Sequence, residues 1–321
     1  MKNVNPSRGD IAVRNEVARS TGEDGSTRCG FVAVVGSPNV GKSTLVNRFV
    51  GAKVAIVSPK VQTTRSRVLG IVIVGATQVV LVDTPGIFVP RRRLDRAMVA
   101  AAWSGATDAD EVLLLVDSKR GVDPDTFRII EQLKSWRRTA ILVLNKVDLV
   151  SKPELLVLTA KLAKEQIFSD TFMICAETGD GVNDLLSSLA VRLPGGPWLY
   201  PADQISDMPS RLFAAEITRE KLYLQLQQEL PYACAVETEK WTDQDDGSVR
   251  IDQVIYVERS GHKGIVVGKS GVRIKRIGEA ARTELERHLE RRVHLFLFVK
   301  FRENWKNDPE RYRDLGLDFD A

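Results

Sequence analysis

The sequence predicts an α/β fold with a mostly parallel sheet covered on both faces, followed by a smaller α+β region. Three observations carry that reading. Short apolar strands alternate with helical stretches over residues 31–193. A glycine-rich turn joins the first strand to the first helix. The alternation stops at Pro194-Gly195-Gly196-Pro197, and a different order of elements follows.

Composition sets the frame. The chain has 321 residues, 43% hydrophobic and 27% charged, enough for two ordinary globular domains with separate cores. No apolar run reaches the length that spans a bilayer, so the expectation is a soluble or at most peripheral protein. Cys29, Cys175 and Cys234 are too widely spaced for a zinc cluster or a disulfide framework and fit a reducing cytoplasm. Residues 1–28 mix acids, bases, Gly and Ser without an apolar core, and read as a flexible tail, not a secretory or transit signal. The net charge of +4 hints at a polyanionic partner.

Residues 31–35 form the first strand, and helical spacing begins at Lys42. Between them lies Gly36-Ser37-Pro38-Asn39-Val40-Gly41-Lys42-Ser43-Thr44, the phosphate-binding pattern G-x-x-x-x-G-K-S in its strand-to-helix setting. Residues 54–67, polar and aperiodic, read as a loop carrying Gln62, Thr63, Thr64, Arg65 and Ser66 as a first switch. Strands over 68–74 and 79–82 pair across a turn at 75–78. Helical spacing over 94–103, 124–136, 153–165 and 182–193 alternates with strands over 112–116, 140–144 and 171–174. Such alternation makes a parallel sheet, whose ligands bind beyond the carboxyl ends of the strands.

Each polar motif follows a strand, so one crevice collects them all. Gly36 and Gly41 let the backbone wrap its N–H groups around a polyphosphate, and the helix N-terminus adds positive potential. Lys42 reaches the β- and γ-phosphates, and the Ser43 hydroxyl ligates Mg²⁺. Asp83, ahead of Thr84, Pro85 and Gly86, holds Mg²⁺ through water, and the Gly86 N–H approaches the γ-phosphate. One of Thr63 and Thr64 gives a hydroxyl to the metal, with Thr64 preferred. Lys42, Thr64 and Gly86 are therefore the catalytic candidates. Asn145, Lys146, Val147 and Asp148 bear on the base. A carboxylate at Asp148 accepts two N–H bonds that guanine offers and adenine does not, while the Lys146 stem lies along the ring. Backbone N–H groups of Cys175 and Ala176 close the base pocket. The nucleotide is thus GTP. Ile87, directly after the Asp83–Gly86 motif, has no hydrogen-bonding side-chain atom with which to orient water.

Residues 197–209 read as a linker, 210–303 as the second domain, and 304–321 as a tail with no assigned chemistry. The second domain begins with a helix running to Leu230, where Pro231 ends it. Strands over 232–241 and 251–259 flank a polar turn at 243–248. A short apolar turn at 265–267, Gly268-Lys269-Ser270-Gly271, an amphipathic helix over 272–289 and an alternating strand over 293–301 complete it. Helix, two strands, helix, GxxG, helix, strand is the order of a type II KH fold, whose GxxG turn clamps about four single-stranded nucleotides. Gly268, Lys269, Ser270 and Gly271 would meet the sugar-phosphate chain, with Ile265, Val266, Arg273, Ile274 and Lys275 along the groove. Residues 263–292 hold nine Lys or Arg against four Glu, a net +5 in a chain of net +4, so the excess positive charge sits on this element. His294 is read as a packing or surface residue.

The loop at 36–44, QTTR at 62–65, DTPG at 83–86, NKVD at 145–148 and CAETG at 175–179 together make the chain resemble the bacterial Era-type GTPases, from about Cys29 to the C-terminus. The resemblance implies a P-loop GTPase domain over 29–196 followed by the KH domain. It implies slow intrinsic hydrolysis, with Ile87 normal for the class, and K⁺ held beside the phosphates with help from Asn39. It names the RNA as the 3′ end of 16S rRNA, in assembly of the small (30S) ribosomal subunit. It further implies a cytoplasmic monomer that touches the inner membrane peripherally. Cys175 departs from the Ser usual at that turn; the backbone does most of the work there. Two other readings stay open: a signalling GTPase whose C-terminal domain docks protein or membrane, and a structural RNA-binding protein that holds nucleotide without turning it over.

Overall fold

The computed structural model describes residues 27–60, 62–90, 92–303, 305 and 308–321, so all but the last two positions of the expected N-terminal tail lie outside the described residues. The chain forms two compact units. One holds the described residues up to Ala55 with Arg67–Val89 and Val99–Asp207; the other holds Ile56–Ser66, Pro90–Met98 and the described residues from Met208 on.

In the first unit six strands stand in the order β2-β3-β1-β4-β5-β6. They are β1 (Arg28–Val35), β2 (Val68–Val74), β3 (Thr77–Asp83), β4 (Glu111–Asp117), β5 (Ala140–Asn145) and β6 (Phe168–Ile174). Only β2 runs antiparallel, to β3. Period-two alternation explains how one strand feeds two cores. Val32 and Val34 pack with α1 (Lys42–Val50) and α5 (Val182–Arg192), whereas Ala33 and Val35 pack with α2 (Arg93–Asp108) and α3 (Pro124–Ser135). A further helix, α4 (Lys152–Ala163), covers the far end of the sheet. Asp123 caps α3 by accepting from the Thr126 N–H at 2.6 Å, with Pro124 following as a preset first residue.

Two expectations for this unit change. The turn between β2 and β3 is Gly75-Ala76, not four residues, and Val74 pairs with Thr77. Thr77 and Gln78 look like turn residues, but their polar atoms find partners inside: Thr77 donates to the Ala190 carbonyl at 3.1 Å, and Gln78 donates to the Tyr200 carbonyl at 2.8 Å. The segment expected as a linker is packed as far as Asp207. Trp198 and Tyr200 lie against Cys29, Leu69 and Ile71, and the Ile71 N–H donates to the Ile205 carbonyl at 2.9 Å, covering the exposed edge of β2.

The second unit contains α6 (Ser210–Gln225), β7 (Cys234–Asp243), β8 (Val249–Val257), α7 (Ser260–Val267), α8 (Val272–Leu289), β9 (Val293–Phe301) and α9 (Pro309–Asp314). Its sheet runs β7-β8-β9, with β8 antiparallel to β7 and parallel to β9. Ile217, Leu222 and Tyr223 of α6 and Ile277, Ala281 and Leu285 of α8 fill its core against Ile251 and Ile255.

Here too the structure corrects the sequence. Helix α6 ends at Gln225, five residues before Leu230, because Leu226 turns extended and buries its side chain in the core. Lys60 donates to the orphaned carbonyls of Tyr223 and Leu226 there. Residues 265–267 are not a turn but the last part of α7, whose apolar period is diluted by Gly261 and Gly264. The C-terminal residues are not merely a tail: Trp305, Tyr312 and Leu317 are buried. The loop 56–66 also belongs to this unit rather than the first, since Ile56 enters the apolar cluster of Phe213, Ile217 and Ile251.

Candidate nucleotide site and candidate nucleic-acid surface

The loop after β1 has an unexpected regularity. Each carbonyl from Gly36 to Val40 accepts a hydrogen bond from a side chain. Lys42 Nζ donates to Gly36 and to Ser37, both at 3.1 Å. Arg120 donates to Pro38 at 2.8 Å, Lys146 to Asn39 at 2.8 Å, and Asn145 Nδ2 to Val40 at 2.8 Å. A trans peptide points its N–H away from its carbonyl, so tethering these oxygens turns the N–H groups of Ser37, Asn39, Val40 and Gly41 to the opposite side (Pro38 has none), as an anion-binding nest requires. Gly41 enters α1 at φ 102°, where a Cβ would sit 2.3 Å from Asn145 Nδ2.

Lys42 is buried, and desolvation is the largest influence on it, pushing its pKa down to about 8. The Asp83 charge pulls the other way, and Arg120 adds to the depression. Beside it Ser43 Oγ donates to Asp83 Oδ2 at 2.7 Å, bringing two hard oxygen ligands together at the helix start. Among the described residues no cluster of three His, Cys, Asp or Glu could hold a metal by itself. The pair therefore fits Mg²⁺, which takes one or two protein oxygens and completes its shell with phosphate and water. Thr84 is anchored by donating to the Val34 carbonyl at 2.8 Å. A Cβ on Gly86 would lie 3.0 Å from the Pro38 Cα, so this turn runs against the phosphate loop. The Ile87 N–H donates to the Gly36 carbonyl at 3.2 Å, and its side chain is buried with Ala33, Ala102 and Ile129.

At the base end, Asn145 binds two loops at once: besides Val40, its Oδ1 accepts from the Ala176 N–H at 3.0 Å. The Cys175 N–H donates to Asp180 at 3.0 Å. Both N–H groups expected to close the base pocket thus already have protein partners. The Lys146 ammonium, besides Asn39, meets Asp117 at 2.6 Å. Burial would raise the Asp117 pKa, but Lys146 and the backbone N–H groups of Arg120 and Lys119 outweigh it and hold the carboxyl low. Asp148 is exposed in the turn after Lys146.

Sequence reasoning missed Asp117, Arg120 and Asp123. Ser37 Oγ donates to Asp123 at 3.1 Å, and Arg120 pairs with Asp123 at 3.2 Å, so this group braces the loop. The available signal was Asp117 ending a strand, the same placement that singled out Asp83. Asn47 was also missed: it accepts from the N–H groups of Val54 and Ala55 and donates to the Ala55 carbonyl, closing the end of α1.

The expected switch residues Gln62, Thr63, Thr64, Arg65 and Ser66 lie in the second unit. Gln62 donates to Asp95 at 3.1 Å. Thr63 Oγ1 lies 2.6 Å from both the Lys60 carbonyl and Ser58 Oγ, so that hydroxyl is engaged locally. Arg65 is buried.

On the same unit Lys269–Gly271 forms a single turn between α7 and α8, with Ser270 held left-handed at φ 51°. A groove of about 550 Å³ beside it is lined by Gly268, Lys269, Ser270, Val272, Arg273 and Arg276, among others. Of the apolar residues expected along it, Ile265 is exposed and Ile274 is partly buried. Val266 is not a groove residue: it is fully buried against Leu222 and Ile277. Glutamates do little to neutralise the turn. Lys275 pairs with Glu279 at 3.9 Å, whereas Glu284 turns to Lys221 and Glu286 accepts from the Val293 N–H.

Comparison with known proteins agrees with both halves. Residues 31–146 match the family described as 50S ribosome-binding GTPase, and residues 229–306 match the KH domain. GTPase Era of Rhizobium meliloti (strain 1021) is 61% identical over 293 residues, 91% of this chain and 94% of that one. GTPase Era of Agrobacterium fabrum (strain C58 / ATCC 33970) is 59% identical over 97% of this chain and 98% of its own. A crystal structure of Era in complex with MgGDPNP and nucleotides 1506–1542 of 16S ribosomal RNA superposes with a TM-score of 0.86 at 38% identity, covering 90% of this chain and 99% of that one. By sequence over nine-tenths of its length, and by the fold of both units, the chain belongs to the Era family of GTPases.

Proposed function

We propose that the chain is a GTP-hydrolysing switch that binds the 3′ end of 16S rRNA through its KH domain and acts in assembly of the 30S subunit. The run of tethered carbonyls from Gly36 to Val40, which turns the loop N–H groups toward an anion, is the observation that carries the nucleotide half. The basic GxxG turn supports the other half, together with the solved relative that holds nucleotides 1506–1542 of 16S ribosomal RNA.

GTP would enter with its phosphates over the loop, and Lys42 would exchange two carbonyl acceptors for phosphate oxygens. Ser43 and Asp83, joined by Thr64, would hold Mg²⁺, which supplies charge neutralisation at the phosphates. Gly86 would offer its N–H to the γ-phosphate and move when that phosphate leaves. Asp148 would read guanine, with Lys146 beside the ring. Buried Ile87 offers no group to orient water, which supports slow turnover. K⁺ near Asn39 would add positive charge. The chain would work as a cytoplasmic monomer with peripheral membrane contact; no helix among the described residues is long and apolar enough to cross a membrane.

Two assays test this reading. Steady-state GTP hydrolysis with Mg²⁺, with and without RNA and in K⁺ against Na⁺, should show multiple turnover, faster in K⁺; a single turnover under every condition refutes the enzyme. Crosslinking to a 16S 3′-end oligonucleotide should map to residues 262–276, and crosslinks confined to other surfaces refute the KH assignment.

A further inference from the structure

Helix α1 begins at the phosphate loop, and its last turn reaches the turn expected to close the base pocket. The link is Arg48. Its Nε donates to the Ala176 carbonyl at 3.2 Å, and its Nη2 donates to the Glu177 carbonyl. A Cβ on Gly179, which sits at φ 95°, would lie 3.7 Å from Arg48 Nη1, so the turn runs close around this guanidinium. Neither the phosphates nor the metal ligands call on this side chain.

The hydrogen bonds of the turn close group by group, with two exceptions. The Cys175 N–H donates to the Asp180 carbonyl at 3.0 Å, and the Ala176 N–H to Asn145 Oδ1 at 3.0 Å. The Cys175 carbonyl accepts from the Gly179 N–H at 2.8 Å, and the next two carbonyls accept from Arg48. That leaves the N–H groups of Glu177 and Thr178, which bond to nothing among the described residues. Both belong to the peptide units that Arg48 holds. The Ala176 carbonyl shares a plane with the Glu177 N–H, and the Glu177 carbonyl with the Thr178 N–H. A guanidinium gripping both oxygens from one side therefore turns both N–H groups to the other. Its planar fork fixes the two peptides together, which a single-point donor would not do.

We propose that Arg48 is a positioning residue for guanine recognition, aiming the Glu177 and Thr178 N–H groups as paired donors for the carbonyl oxygen of the base. Guanine carries an oxygen acceptor at the position where adenine carries an amino donor. Two fixed N–H donors accept the first and are left unpaired by the second. Cys175 and Ala176, whose own N–H groups are engaged, anchor the turn instead. The assignment rests on the base-pocket reading of residues 145–148, in which Asp148 takes the N–H side of the same edge.

Competition titrations of the full chain with MgGDP and with the Mg²⁺ complex of 6-thioguanosine diphosphate test this. The analogue keeps both N–H groups that would face Asp148 and replaces the carbonyl oxygen with sulfur, a weaker acceptor. The parent chain should prefer GDP. Arg48→Met keeps an unbranched stem without a donor, and should weaken GDP binding about fivefold or more. Affinity for the analogue should fall less, so the ratio of the two affinities shrinks toward one. Arg48→Lys, with a single-point donor, should fall between parent and Arg48→Met, and carries the same comparison if circular dichroism shows that Arg48→Met does not fold. Equal losses for the two ligands would be the mark of a merely loosened turn and overturn the proposal, as would unchanged GDP affinity. Parent affinities that are equal for the two ligands, with Asp148→Asn weakening both, overturn the donor assignment alone. If Asp148→Asn weakens neither, the base-pocket reading falls and takes the proposal with it.

Discussion

The turn from Gly36 to Ser43 and the turn from Gly268 to Gly271 are both glycine-flanked entries into a helix, yet they are built in opposite ways. In the first, five successive carbonyls are held by Lys42, Arg120, Lys146 and Asn145, and Lys42 is buried. In the second, Lys269 and Ser270 are exposed beside an open groove. A loop whose shape is set before the ligand arrives loses little freedom on binding and can discriminate by hydrogen-bond geometry. An exposed basic turn attracts a polyanion chiefly by charge, and its affinity is correspondingly sensitive to salt.

The largest effect should come from the most specific contact. With Asp148 as the proposed reader of the base, Asp148→Asn would exchange acceptors for a donor toward guanine and remove two charge-assisted bonds of about 1.5–3 kcal/mol each. GTP affinity should fall by about 10²-fold or more, with xanthosine triphosphate recovering it in a competition titration. Unchanged GTP affinity would mean that the base lies elsewhere. Lys42→Ala should lower kcat by about 10²–10³-fold, measured in single-turnover hydrolysis; a smaller loss would mean that the loop N–H groups carry the phosphates alone.

A pH titration sharpens the same side of the comparison. Lys42 titrates at about 8 in the folded, nucleotide-free protein against 10.5 ordinarily. Between those values the unfolded chain holds a proton that the folded protein has released, so this group's contribution to stability rises with pH across that window. Phosphate favours the charged amine, so GTP affinity should weaken as pH rises past about 8. Thermal unfolding and GTP titration across the window should show opposite slopes, both flattened in Lys42→Met.

For the open turn, Lys269→Asp with Gly271→Asp should weaken RNA binding about tenfold and flatten the dependence of log affinity on log salt by about 0.7 for each phosphate no longer neutralised. RNA binding that ignores salt would remove the contrast between the two turns. The smallest effect belongs to Cys175→Ser: its backbone bonds to Asp180 and Gly179 do not involve the thiol, so GTP affinity should change less than about twofold by titration.

The motifs were legible because each is local. A strand end, a glycine and a lysine at fixed spacing specify a loop before any tertiary contact is made, and helix α8 and strand β9 were readable from period alone. What remained hidden depended on partners distant in sequence. Nothing near Asn145 indicates that its two side-chain atoms reach Val40 and Ala176, and nothing near Gln225 indicates that α6 stops there so that Leu226 can enter the core.

By itself, then, the sequence determined the order of strands and helices in the first unit, the phosphate loop and its family, since backbone conformation and residue chemistry at short range suffice for those. Tertiary structure alone decided that Val266 is core rather than groove, that the loop 56–66 packs with the second unit, and that Arg65 is a buried cation. Burial and charge pairing are properties of what surrounds a side chain in space, and spacing along the chain does not encode them.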